Sequence, residues 1–101
     1  MTILLDGSVT VRTIDALRLS ILDAFEQNPV VELDASAVAE VDLSLVQLIE
    51  AARIHASQES KTLRLAAPAN ATLVALLRRT GSLSEPTAED IDFWCHGELP
   101  Q

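Results

Sequence analysis

Few side chains in this sequence are able to do chemistry, and most of them fall in one stretch. Asp34 and Asp42 bracket a small-residue segment, and Ser36 and Ser44 follow them two positions later. Paired carboxylates suit acid–base work or cation binding, but either role needs a further base, nucleophile or ligand. None stands nearby in sequence. His55 falls in a helical pattern and His96 in the C-terminal tail, positions where histidine is more often structural than catalytic. Cys95 and His96 are adjacent, not at metal-ligand spacing. The chain has 3 glycines, in no phosphate-cradling arrangement. No catalytic residue, metal site or cofactor is expected. Locally, Asp34 and Ser36 read as an Asx-type turn closing a loop. Asp42 reads as a helix N-cap, with Ser44 in the first turn.

The elements that position these residues are a strand, a loop and a helix. Val30 to Leu33 is a short apolar run with β-branched residues, as in a buried strand. After Asp42, residues Leu45, Leu48, Ile49, Ala52 and Ala56 form one helical stripe, ending near Ser57. Upstream, Thr2 to Leu5 predicts a strand that Asp6-Gly7-Ser8 interrupts as a turn or bulge, with Val9 to Val11 as its continuation. Thr13 is placed to cap a first helix whose inward face is Ile14, Leu17, Ile21, Ala24 and Phe25. Asn28-Pro29 stops it, because proline disfavours helical geometry in the residue before it. Thr62 to Ala66 predicts a third strand. Asn70 or a neighbour caps a third helix packed through Leu73, Val74, Leu76 and Leu77. Arg78 and Arg79 suit its C-terminal dipole and Gly81 the left-handed position beyond. Ser84 to Thr87 reads as loop. Ile91, Phe93 and Trp94 form an apolar cluster, either a short last strand or a packed extension. Strands alternating with helices predict an α/β fold: a small, mainly parallel sheet with helices packed around it.

Composition narrows the function classes. A length of 101 residues fits one domain over 1–101, with a core of about 2–83 and an extension over 84–101. At 49% hydrophobic and 3% aromatic residues, the core must be aliphatic. A net charge of −8 repels phosphate backbones, which argues against nucleic-acid binding. The single cysteine, Cys95, rules out an internal disulfide and fits a reducing compartment. No apolar run reaches membrane-spanning length, and Met1 does not open a signal peptide. The reading is a cytoplasmic protein without direct membrane insertion. The oligomeric state is left open.

The ordered motifs resemble the STAS family, whose name joins sulfate transporters and anti-sigma-factor antagonists. The resemblance rests on the strand–Asp34–x–Ser36 pattern followed by Val38-x-x-Val41-Asp42 opening a helix. It extends to Leu5-Asp6-Gly7-Ser8-Val9 with Thr13 to Leu17 upstream, and to Leu63 to Ala66 with Leu76 to Gly81 downstream. It implies a STAS-like fold. Relatives usually carry a further strand before the Gly7 region, and Met1 leaves no room for one, so that first strand is expected to be missing. In phosphorylatable relatives a Ser or Thr directly follows the helix-opening Asp. Here that residue is Leu43, which has no hydroxyl. Ser44 comes next, and the usual Gly after it is Leu45. The resemblance therefore implies a possible phosphorylation site at Ser44 alone, near a helix N-terminus that favours anions.

One feature goes beyond an ordinary amphipathic helix. Leu43 and Ile54 fall nearly opposite the inward stripe of the second helix, with Val46 at its flank. Apolar residues on an outward face can mark a contact surface. The expected partner-binding set is Asp42, Leu43, Ser44, Val46, Gln47, Glu50 and Ile54, on what the resemblance implies is the family's partner-docking helix. The rival is that the segment around Phe93 and Trp94 folds over Leu43 and Ile54. The implied function is a non-catalytic regulatory protein–protein interaction module in bacterial signalling. Its partner would be an anti-sigma-factor-like kinase, a sensor or another regulatory protein, including chemotaxis or two-component settings. The alternative is a structural subunit of a lipid-transport complex with no phosphoswitch. An enzyme ranks last.

Overall fold

The computed structural model describes residues 1–98, so the last three residues of the expected extension lie outside the described residues. The elements are β1 (Thr2–Val9), α1 (Ile14–Gln27), β2 (Val30–Val41), α2 (Leu43–Gln58), β3 (Thr62–Leu65), α3 (Ala71–Arg79) and α4 (Ala88–Cys95). The fold is the expected α/β one. Its three strands are all parallel in the order β1-β2-β3. Among the described residues no strand precedes β1, which lies at a sheet edge.

The middle strand is longer than its sequence suggests. β2 runs on to Val41 through the small-residue stretch read as a loop. β1 likewise continues through Gly7, whose φ of +62° only glycine adopts at little cost. Leu4 and Ser8, four residues apart, face Asp34 and Glu40, six apart, so β2 bulges twice. The first bulge holds the expected Asx bond: Asp34 Oδ1 accepts from Ser36 N at 3.0 Å and from Ser36 Oγ at 2.6 Å. That bond shapes a bulge inside a strand; it does not close a loop. The bulge also returns Val38 to the buried side, on which Val31, Leu33 and Ala35 already lie. Val11 does not extend β1. Thr10 to Thr13 make a turn instead, with Thr13 N bonded to Thr10 O at 2.9 Å.

The helices follow their apolar stripes. Ile21, Ala24 and Phe25 of α1 are buried, as are Leu45, Ile49, Ala52 and Ala56 of α2. Thr13 precedes α1, but its hydroxyl does not cap the helix. It donates to Ser8 O and Thr10 O and accepts from Thr10 N, tying the helix entry to the end of β1. Asn70 caps α3 through Oδ1, which accepts from Leu73 N at 2.9 Å. Its Nδ2 donates to Ala35 O at 3.2 Å and Val38 O at 3.0 Å, fastening α3 to the bulged part of β2. Gly81, at φ +81°, ends that helix.

Of the two readings of the tail, the structure has the packed extension, as a helix and not a strand. Thr87 and Asp90 make a reciprocal capping box that opens α4. Trp94 is 1% exposed and joins the same core as Leu33, Leu45 and Leu73. Its ring meets Phe93 edge-on at 4.9 Å.

Candidate functional site

Asp42 holds the N-terminal end of α2. Its Oδ1 accepts from Ser44 N at 3.0 Å and from the Ser44 hydroxyl, while Oδ2 accepts from Val11 N at 2.9 Å. One carboxylate thus satisfies an orphan donor of the helix and pins the turn after β1 beside it. These bonds hold its pKa below the usual carboxylate value. The Ser44 hydroxyl is the largest cause, then the Val11 N–H, against an opposing effect of burial. Asp34 is lowered in the same way, by its Ser36 hydroxyl first. The two carboxylates are therefore ionised acceptors with their own partners, a poor basis for acid–base catalysis. Among the described residues, no group of three or more potential metal ligands gathers.

The other reactive side chains also have structural partners. His55 packs at a tilt on Phe25, with ring centroids 5.7 Å apart. His96 Nε2 lies 2.9 Å from Leu65 O. Cys95 is buried, and burial raises its thiol pKa, partly offset by the Arg78 guanidinium.

The stripe on the outward side of α2 is present. Leu43 is 46% exposed and Ile54 60% exposed, with Gln47 exposed between them. Eleven residues of helix separate the two apolar side chains, a rise of roughly 16 Å. Val46 departs from that expectation. It is 4% exposed and belongs to the core, because a flank position on an isolated wheel becomes interior once neighbouring elements close over it. Glu50 is half-buried at the border of the stripe, where it pairs with Arg53 at 3.0 Å. Ser44 is half-buried, with its hydroxyl turned to Asp42.

The rival covering by the tail does not occur. α4 docks along the β3 side, where Arg53 reaches Asp90 at 3.1 Å and lies 4.5 Å over the Phe93 ring. Leu43 and Ile54 stay open to solvent.

Two residues escaped sequence reasoning. Val11, 70% exposed, is tied by its N–H to the Asp42 carboxylate at the N-terminal end of α2, the end that carries Leu43. Arg53 joins α2 to α4; its i,i+3 spacing from Glu50 was the one local sign. A shallow apolar cleft of about 200 Å³ runs between α1 and α2, lined by Leu22, Phe25, Leu48 and His55 among others. No helix among the described residues is long and apolar enough to cross a membrane.

Comparison with known proteins adds a family. No curated protein and no solved structure matched the chain. A family model described as "Mlab, STAS domain" matched residues 1–82, from β1 to just beyond α3. STAS domains are generally non-catalytic binding modules that mediate protein–protein contact. With the parallel sheet, the Asp42-capped helix and a match over most of its length, this chain belongs to the STAS domain family.

Proposed function

We propose that this protein is a non-catalytic docking module whose partner seats on the outward stripe of α2 and on the Asp42 end beside Val11. The observation that carries the reading is the solvent exposure of Leu43 and Ile54 on a helix whose opposite side buries Leu45, Ile49, Ala52 and Ala56. A helix lying on a sheet gains nothing by presenting large apolar side chains to water, while a partner that covers them gains the burial. Gln47, within the stripe, supplies a polar contact, and Asp42 with the α2 terminus supplies fixed charge and dipole that orient the partner. The setting is bacterial regulation, with an anti-sigma-factor-like kinase, a sensor or another regulatory protein as partner.

A second reading, a structural subunit of a lipid-transport complex without a phosphoswitch, is favoured by one specific observation. Leu43 offers no hydroxyl, and the Ser44 hydroxyl already serves the Asp42 cap. Cross-linking in the native cell tests the docking surface and separates the settings. A photo-reactive amino acid at Gln47 is expected to capture one partner, and the same group at Leu19 on α1 is not. Identification of the captured protein as a kinase or sensor, or as a transporter ATPase, assigns the setting. Intact-mass measurement of the purified chain reads any phosphate on Ser44. Equal capture from both positions, or none from Gln47, overturns the docking surface.

A further inference from the structure

Helices α1 and α2 leave a gap where they face each other. Each presents an i, i+3, i+4, i+7 row, from Arg18 on α1 and from Leu48 on α2. Rows of this kind normally interdigitate and fill the space between two helices. Here the middle of the α2 row is Ala51 and Ala52, too short to do so, and the cleft of about 200 Å³ remains. Its floor is apolar and closed: Ile21 is 2% exposed, Phe25 1% and Ala52 6%. Leu22 and half-buried Leu48 border the open side. An apolar cavity of ~150 Å³ holds one benzene. This cleft therefore has room for a single ring or a short branched chain, with the other end of the molecule at the mouth.

The polar side chains of the cleft are both nitrogen-bearing. Arg18 and His55 line it, and no carboxylate does. Arg18 is tied to Asp15 at 3.5 Å, one turn back and outside the lining, in a pair whose side chains are 55% and 85% exposed. A pair that open to water is weak, and it leaves most of the guanidinium donors free. His55 keeps its ring on Phe25, and its ring nitrogens bond to no other described residue. In a chain of net charge −8, an apolar cleft rimmed by these two residues favours an anion where the rest of the surface repels one.

We propose that the α1–α2 cleft binds a small hydrophobic carboxylate. Its aromatic or branched apolar group seats on Ile21, Phe25 and Ala52, and its carboxylate meets Arg18 and His55. The size of the cleft excludes long acyl chains, and the guanidinium at its rim disfavours amines. Leu43, Gln47 and Ile54 do not line this cleft, so the site stands whether or not a partner docks on the outward stripe of α2.

The test is titration of the whole chain with phenylacetate, followed by NMR shifts of amide and methyl groups. Phenylacetamide and phenethylamine are the neutral and cationic controls. The expected result is saturable shifts confined to the cleft, at Ile21, Phe25, Leu48 and Ala52. Phenylacetate should bind about threefold more tightly than phenylacetamide, the scale of one exposed ion pair, and phenethylamine most weakly. Arg18→Gln should erase the preference for the anion while leaving the amide bound. Ala51→Leu, an exposed change that fills the gap, should weaken all three by about tenfold or more, with a melting temperature no lower than the parent's. No saturation with any probe overturns the proposal. So does a preference for the amide or the amine, a preference for the anion that survives Arg18→Gln, or unchanged binding in Ala51→Leu. Shifts at these residues that grow with protein concentration alone assign the cleft to a second copy of the chain. Capture of a protein by a photo-reactive group at Leu22, with no probe bound, assigns it to a partner's side chain. Either result overturns the proposal too.

Discussion

Replacing Leu43 by Glu and Ile54 by Lys puts the docking surface to a quantitative test. Leu43 is 46% exposed and Ile54 60% exposed, so only those fractions remain for a partner to bury. Complete burial of such a side chain is worth about 1.5–3 kcal/mol, which leaves roughly 0.7–1.4 kcal/mol for Leu43 and 0.9–1.8 kcal/mol for Ile54. Together these amount to about 1.6–3.2 kcal/mol, or roughly 10- to 200-fold in Kd. Burying two new charges raises that loss, so the lower figure is a floor. The cost to the monomer is small. Exposed substitutions usually change stability by within about 0.5 kcal/mol, and a glutamate in the first turn of α2 suits the helix dipole. At 4–8 °C per kcal/mol for a domain of this size, the two changes together should move the melting temperature by no more than about 8 °C. The assay pairs calorimetric titration against the protein captured through Gln47 with a thermal melt of each variant. A Kd within threefold of the parent at unchanged melting temperature refutes the surface. A fall of more than about 10 °C refutes the claim that these side chains are free of intramolecular packing.

Asn70→Ala removes both the α3 cap and the bonds to Ala35 O and Val38 O; at about 1 kcal/mol for the cap and 0.5–1.5 for each further bond, chemical denaturation should show a loss of roughly 2–4 kcal/mol. Asn70→Ser restores the cap but is too short to reach Val38, so it should recover about 1 kcal/mol of that loss. The Asp90 pKa is held low, first by the Thr87 N–H and then by the Arg53 guanidinium and Thr87 hydroxyl, against burial. A depressed carboxylate stabilises the fold above its unfolded pKa of about 4 and loses that stabilisation as pH falls through the folded value. Acid titration followed by Trp94 fluorescence should therefore show α4 loosening below about pH 4, with a flatter acid limb in Asp90→Asn. Burial raises the Cys95 thiol pKa, so an aromatic disulfide reagent at pH 8 should react slowly and at a rate set by opening. Thr87→Ala, which breaks the capping box, should speed that reaction; an unchanged rate would mean that opening does not pass through α4.

Local signals in the sequence decided the frame of this protein. The inward stripes of α1 and α2, the Asp42 cap, the stop at Asn28-Pro29 and the left-handed Gly81 each depend on residues within one or two helical turns. The outward position of Leu43 and Ile54 follows from the same periodicity. Tertiary structure decided everything that depends on what lies across the chain. β2 runs twelve residues because β1 lies beside it and two bulges absorb a small, polar stretch whose alternation is broken. No window of sequence contains that partner. The capping box of Thr87 and Asp90 was present in the sequence, yet whether Trp94 closes a strand or a helix rested on its fit into a core built from distant leucines. Val46 was drawn inward, Val11 was carried to the Asp42 carboxylate, and Arg53 was set between Glu50, Asp90 and Phe93, all by packing between elements. Helical periodicity fixes the direction a side chain takes from its own axis, but the surfaces it meets there are supplied by the rest of the fold.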